Sequence, residues 1–130
     1  MRTILVVDDE QEILTLVQSA LARLGFHVLL ATNGDAALEL FDKKQVTIDL
    51  LLTDVVMPGI SGPMLVDRLL ATQPSLPVLF MSGYDDRQVV QRYVLKEGFA
   101  LLPKPFTLEM LNAKVHELLP VAPVNRTQTA

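Results

Sequence analysis

Five short runs of apolar, branched residues alternate with five stretches of helical period along the chain, and no other feature constrains the fold as much. Thr3–Val7 is too short for a helix and has no polar face, so it reads as a strand buried on both sides. Residues 10–24 place Ile13, Leu14, Val17, Leu21 and Leu24 at helical spacing, with Gly25 where a helix would stop. Residues 28–31 are the next strand, and Asn33 caps a helix running to about Lys44 with Ala36, Ala37, Leu40 and Phe41 inward. Residues 48–53 are the third strand. A loop with Pro58, Gly59, Ser61 and Gly62 then leads into a helix from Pro63 to about Thr72. Residues 77–82 form the fourth strand, and a helix begins at Asp85 and ends near Gly98. A short fifth strand covers residues 100–102, before a last helix over 107–119 that Pro120 stops. Each crossover must carry the chain back over the sheet. The prediction is therefore an α/β fold, a doubly wound five-stranded parallel sheet with helices on both faces.

Composition sets the outer limits. The chain has 130 residues, half of them hydrophobic and a fifth charged, which suits one domain with a real core. We expect that domain over residues 1–119, and a mobile tail over 120–130 with two prolines after residue 119 and several polar residues. There is no cysteine, which rules out disulfides, thiolate metal sites and cysteine nucleophiles. Eleven basic against fifteen acidic residues give a net charge of −4, which repels a phosphate backbone and argues against direct contact with nucleic acid. The apolar runs are far too short to span a membrane. Asp8, Asp9 and Glu10 interrupt the first run at once, so the N-terminus lacks a signal-peptide pattern. A cytoplasmic protein is expected.

Ligands of an open parallel sheet bind beyond the carboxyl ends of its strands. Asp8, Asp9 and Glu10 follow the first strand, Asp54 the third, Ser82 and Gly83 the fourth, and Lys104, between Pro103 and Pro105, the fifth. Carboxylates gathered on one rim repel unless a cation or a proton intervenes, and Mg²⁺ suits an open site of oxygen ligands. A lysine beside that ion can hold an anion such as phosphate. An aspartate so placed can attack phosphorus and carry the group as an acyl phosphate. Plainer roles exist for each residue: helix capping for Asp8 and Asp9, a turn for Asp54, an ordinary strand end for Ser82-Gly83, a loop lysine for Lys104. Their joint address on the rim favours the chemical reading. His27 and His116 lack metal partners at useful spacing, and the methionines read as core fillers.

Four motifs carry a resemblance: ILVVDDE (residues 4–10), LLLTDVVMPGISG (50–62), VLFMSGY (78–84) and LLPKPF (101–106). In that order, each at a strand end, they resemble the receiver domain of two-component response regulators. SGYDDRQVV and KPFTLEML are similar to receivers of hybrid sensor histidine kinases. The resemblance implies a flavodoxin-like (βα)5 fold with strand order 2-1-3-4-5. It implies that Asp54 is the phosphoacceptor and that Asp9 binds Mg²⁺ directly, with Asp8 in support and the Val56 carbonyl as a further ligand. Lys104 would pair with Asp54 at rest and with a phosphoryl oxygen afterwards, across a cis Lys104–Pro105 bond. Ser82 would donate its hydroxyl to another phosphoryl oxygen, with Gly83 leaving room for the loop to move. Partners would be a sensor histidine kinase or a histidine phosphotransfer protein, and the full-length protein could carry a fused kinase or output domain.

One departure from the family stands out. Leu101 lies three residues before the lysine, where many receivers carry Tyr or Phe, so the usual aromatic readout is missing. Val56 and Tyr84 are expected to flank the phosphate and to limit water access to it. Two rival readings remain: a degenerate receiver used for protein docking, and an aspartyl-phosphate phosphatase. The phosphatase is disfavoured because Val56 stands where such enzymes often carry a second aspartate. The receiver itself would not be an enzyme beyond promoting its own phosphorylation and dephosphorylation.

Overall fold

A computed structural model describes residues 2–43, 47–83 and 86–119. Five strands, β1 (Thr3–Val7), β2 (His27–Ala31), β3 (Leu50–Asp54), β4 (Val78–Ser82) and β5 (Ala100–Pro103), form one parallel sheet in the order β2-β1-β3-β4-β5. The expected order 2-1-3-4-5 is the observed one. β1, β3 and β4 are buried along their whole length, whereas β2 and β5 at the edges are partly open. This is why the central strands are written without a polar face.

The helices are α1 (Gln11–Arg23), α2 (Gly34–Asp42), α3 (Gly62–Thr72), α4 (Arg87–Val89) and α5 (Leu108–Leu118). They sort onto two faces by alternation along the strands. Ile4, Val6, Leu50, Leu52, Leu79 and Met81 point toward α1 and α5, where Leu14, Val17, Leu21, Leu111 and Val115 are buried. Leu5, Val7, Leu51, Val78 and Phe80 point the other way, toward Ala37 of α2 and Leu65, Val66 and Leu69 of α3. Asn33, Ser61 and Thr107 cap α2, α3 and α5, accepting from the backbone N–H of Ala36, Met64 and Met110. Gly25, with φ +92°, turns the chain out of α1 through a conformation other residues avoid.

Two elements differ from the periodicity. β3 begins two residues later than expected and includes Asp54, so the carboxylate is fixed by the strand itself rather than by the following loop. The fourth helix is α-helical only over Arg87–Val89 and continues as a π-helix over Val90–Leu95. Its one-residue shift in register is invisible to a hydrophobic pattern, because Val90 and Val94 still point inward. The expected start of that helix at Asp85, the end of the second helix at Lys44 and the tail over 120–130 lie outside the described residues, as does Tyr84.

α3 starts hard against the end of β3. The Gly62 N–H donates to the Val55 carbonyl at 2.9 Å. A Cβ on Gly62 would collide with the Asp54 carbonyl oxygen and come within 3.1 Å of the Phe80 ring. Gly62→Ala is therefore expected to cost about 1–3 kcal/mol, as overpacking does, because the nearest obstacle is backbone. Urea unfolding would read this as a lower midpoint at unchanged slope, and an unchanged midpoint would show that the strand end can yield.

Candidate functional site

The carboxyl ends of β1, β3, β4 and β5 bring the expected residues to one rim. Asp8, directly after β1, is fully buried, and Asp54, the last residue of β3, is buried too. Two local bonds fix these carboxylates. Asp8 Oδ1 accepts from the Glu10 N–H at 2.8 Å, and Asp54 Oδ1 accepts from the Val55 N–H at 2.9 Å. Lys104 reaches across from the end of β5. Its Nζ lies 2.9 Å from Asp8 Oδ2, 3.2 Å from Glu10 Oε1 and 3.4 Å from Asp54 Oδ2. Its backbone N–H donates to the Ser82 carbonyl at 2.7 Å, which ties β5 to β4 at this point, and the Lys104–Pro105 bond is cis. Ser82 ends β4, buried, one residue beyond the Met81 that pairs with Asp54.

Charge is crowded here. Burial, then the negative charge of Asp8, pushes Asp54 up to about 7, with Asp86 adding to the rise and Lys104 partly offsetting it. Burial raises Asp8 as well, against the opposing bonds from Glu10 and Lys104. Burial by itself would lower Lys104. The hydrogen bond to Asp8 and the charges of Asp54 and Asp8 outweigh it, so the ammonium is held more firmly than usual.

Oxygens of Asp8, Glu10 and Asp54 all lie within 4.8 Å of one another, a cluster able to hold a metal ion. All are hard oxygen donors, two of them already buried, and that donor set fits a small divalent cation such as Mg²⁺. Asp9 is exposed and outside this cluster, and Glu10, for which no separate role was expected, joins the buried pair. Its signal was its place two residues after Asp8. The Val56 side chain stands half exposed beside the rim.

A second residue was missed altogether. Asp86 is buried and accepts from the Gly83 N–H at 2.7 Å, tying the loop after Ser82 to the start of α4. A cleft of about 320 Å³ opens beside it, lined by Ser82, Arg87, Val90, Pro103 and Lys104 among others. Leu101 pairs in register with Phe80 and packs, partly buried, on the α2–α4 side of the core.

The sheet is open, of order 2-1-3-4-5, and its acidic rim is bridged by Lys104. Residues 4–116 match the model of the response regulator receiver domain, and the chain belongs to that family. It is a receiver domain of two-component signalling. Over 117 residues it is 35% identical to the sensor kinase CckA of Brucella abortus, covering 90% of this chain and 12% of that protein. It is 37% identical to the DNA-binding transcriptional regulator NtrC of Azospirillum brasilense, covering 90% of this chain and 24% of that one. The chain thus spans a small part of these relatives. Among solved structures, the receiver domain of the hybrid histidine kinase CckA superposes with a TM-score of 0.74 at 32% identity, covering 90% of this chain and 98% of that one. A receiver domain protein from Clostridium thermocellum gives 0.82 at 28% identity, with 99% and 98% covered. Among the described residues, no helix is long and apolar enough to cross a membrane.

Proposed function

We propose that Asp54 accepts a phosphoryl group from a phosphohistidine of a sensor histidine kinase or a histidine phosphotransfer protein. The observation that carries this reading is the placement of Lys104 Nζ, which faces Asp54 and Asp8 together at 3.4 and 2.9 Å. An Asp54 oxygen attacks phosphorus as the P–N bond to the imidazole breaks, and the imidazole leaves with the bonding pair. Asp8, Asp9, Asp54 and the Val56 carbonyl are the groups that would hold Mg²⁺, with Glu10 in reach. When bound, Mg²⁺ supplies positive charge against the phosphoryl oxygens. Alignment and neutralised charge are most of what this reaction needs.

Lys104 then exchanges a carboxylate for a phosphoryl oxygen, and the Ser82 hydroxyl binds another. Moving a two-state switch from mostly off to mostly on takes about 5.5 kcal/mol of differential interaction. One hydroxyl contact to a charged group gives about 1.5–3 kcal/mol, so Lys104 and the bound partner must share the work. The rival phosphatase reading has less support, because position 56 carries a valine and no acid. The protein works in the cytoplasm on this reading, as a switch rather than as an enzyme with turnover. Fusion to a kinase or an output domain accords with the longer relatives.

The decisive test is intact-mass spectrometry after exposure to acetyl phosphate, with Mg²⁺ and with a chelator instead. One added phosphoryl group, Mg²⁺-dependent and mapped by peptide analysis to Asp54, is expected. A group mapped elsewhere, or none, would overturn the assignment.

A further inference from the structure

Leu101 stands where many receivers carry an aromatic residue, and three rings gather in the same core cluster. Phe80 of β4, Tyr93 of the π-helical turn and Phe99 just before β5 form a closed triangle. Tyr93 stacks on Phe99 with centroids 5.5 Å apart and planes 17° from parallel. Phe80 meets both edge-on, at 6.1 Å from Tyr93 and 5.5 Å from Phe99. The Tyr93 hydroxyl donates to Asp67 Oδ1 of α3 at 2.9 Å. Burial and the Asp67 carboxylate both raise the phenol, so it stays a donor.

These contacts lead back to the acceptor in two directions. α3 begins at Gly62, which lies against the Asp54 carbonyl and the Phe80 ring. Phe80 stands two residues before Ser82 on the same strand. Any displacement of the β3 end or of the Ser82 loop therefore meets the Tyr93 cluster from one side or the other. The segment it meets is π-helical over Val90–Leu95, and the regular α-helix is the alternative register for such a stretch. A π-helical turn carries one residue more than an α-helical one, and regaining the α register rotates the rest of the helix by roughly 100°. That rotation would pull the Tyr93 hydroxyl away from Asp67.

We propose that Tyr93 is a positioning residue of the switch: its bond to Asp67 latches the π-helical turn in the resting register, and phosphorylation at Asp54 is coupled to the α4 surface through this latch. The inference rests on the phosphoacceptor reading of Asp54 and adds to it the element that reports the change. Coupling is reciprocal, so a latch that holds the resting state must weaken binding of anything that favours the activated one.

The test uses the full chain and the phosphoryl mimic beryllofluoride with Mg²⁺, reading its affinity and the hydrogen exchange of residues 87–99. Tyr93→Phe keeps the rings and removes the hydroxyl. It is expected to tighten beryllofluoride binding about five-fold, the scale of one hydrogen bond, and to speed exchange in the free protein by a similar factor. Asp67→Ala, which breaks the same bond from α3, is expected to do the same. Asp67→Asn keeps an acceptor oxygen and is expected to stay close to wild type. Tightening separates a latch from a merely structural contact, whose loss would leave binding unchanged or weaker. Unchanged or weaker binding in Tyr93→Phe, with a wild type that binds normally, overturns the latch alone. A wild type that neither binds beryllofluoride nor takes a phosphoryl group at Asp54 overturns the reading of the site, and the coupling with it.

Discussion

Asp54→Asn is expected to make the metal-free protein more stable at pH 8, by on the order of 2–4 kcal/mol, although it deletes the proposed functional group. Burial and the charge of Asp8 push Asp54 from 3.8 up to about 7, so the native state holds that proton more tightly than the unfolded chain does. Stability is then highest where Asp54 is protonated in both states and is lost as pH rises from about 4 to about 7. Asp8, also raised, pulls the same way. Lys104 is not orphaned by the change, since it keeps Asp8 at 2.9 Å and Glu10 at 3.2 Å. Urea midpoints measured from pH 4 to 8 should fall for the wild type and much less for Asp54→Asn. Mg²⁺ should restore the wild type at pH 8 and do less for the variant. A wild-type midpoint that stays level across this range without metal would show that Lys104 already neutralises the cluster. This tension is one reason a folded rim of acids can serve as a switch. On the proposed reading, the residue that attacks phosphorus is one the fold would rather see neutral.

Most of the fold was legible because each signal was redundant. β1, β3 and β4 announce themselves by runs with no polar face, and the same burial on both sides demands helices above and below. The cap at Asn33 is read directly, while Ser61 and Thr107, expected as a loop residue and a first helical residue, prove to be caps as well. The rim was legible for a related reason: a parallel sheet sends every carboxyl end to the same edge, so Asp8, Asp54, Ser82 and Lys104 could be grouped without knowing any distance. The hidden features depend on orientation about a single turn. Nothing in DDE tells which of three adjacent acids turns inward. The structure buries Asp8 and sets Glu10, not Asp9, beside Lys104. Asp86 carries no signal in the sequence, and only its bond to the Gly83 N–H gives it a task. The π-helical register leaves the hydrophobic pattern unchanged, and the Asp67–Tyr93 bond joins residues 26 apart, so no local pattern records either.

Lys104→Met is expected to shift stability in the opposite direction. The lysine side chain, 15% exposed, lies between Asp8 at 0% and Asp54 at 8%. Methionine fills much of the same volume but removes the charge, which leaves two buried carboxylates facing each other with Glu10 close by. Breaking a buried ion pair from one side costs about 3–5 kcal/mol, because the remaining charge has nowhere to go. Here it has one escape, since either acid can take a proton. The loss should therefore be full at pH 8 and much smaller near pH 5, where Asp54 is increasingly neutral. The same change should tighten Mg²⁺, because the competing cation is gone. It should also slow phosphoryl transfer from acetyl phosphate by about 10²–10³-fold, the usual scale for losing one charge-stabilising donor. These outcomes separate two roles for the lysine. If it only screens the acids, Mg²⁺ should make the variant as competent as the wild type. If it holds a phosphoryl oxygen, Mg²⁺ should restore stability while transfer stays slow, and that split is the expected result. A variant whose transfer rate recovers fully at saturating Mg²⁺ would reduce Lys104 to a counterion.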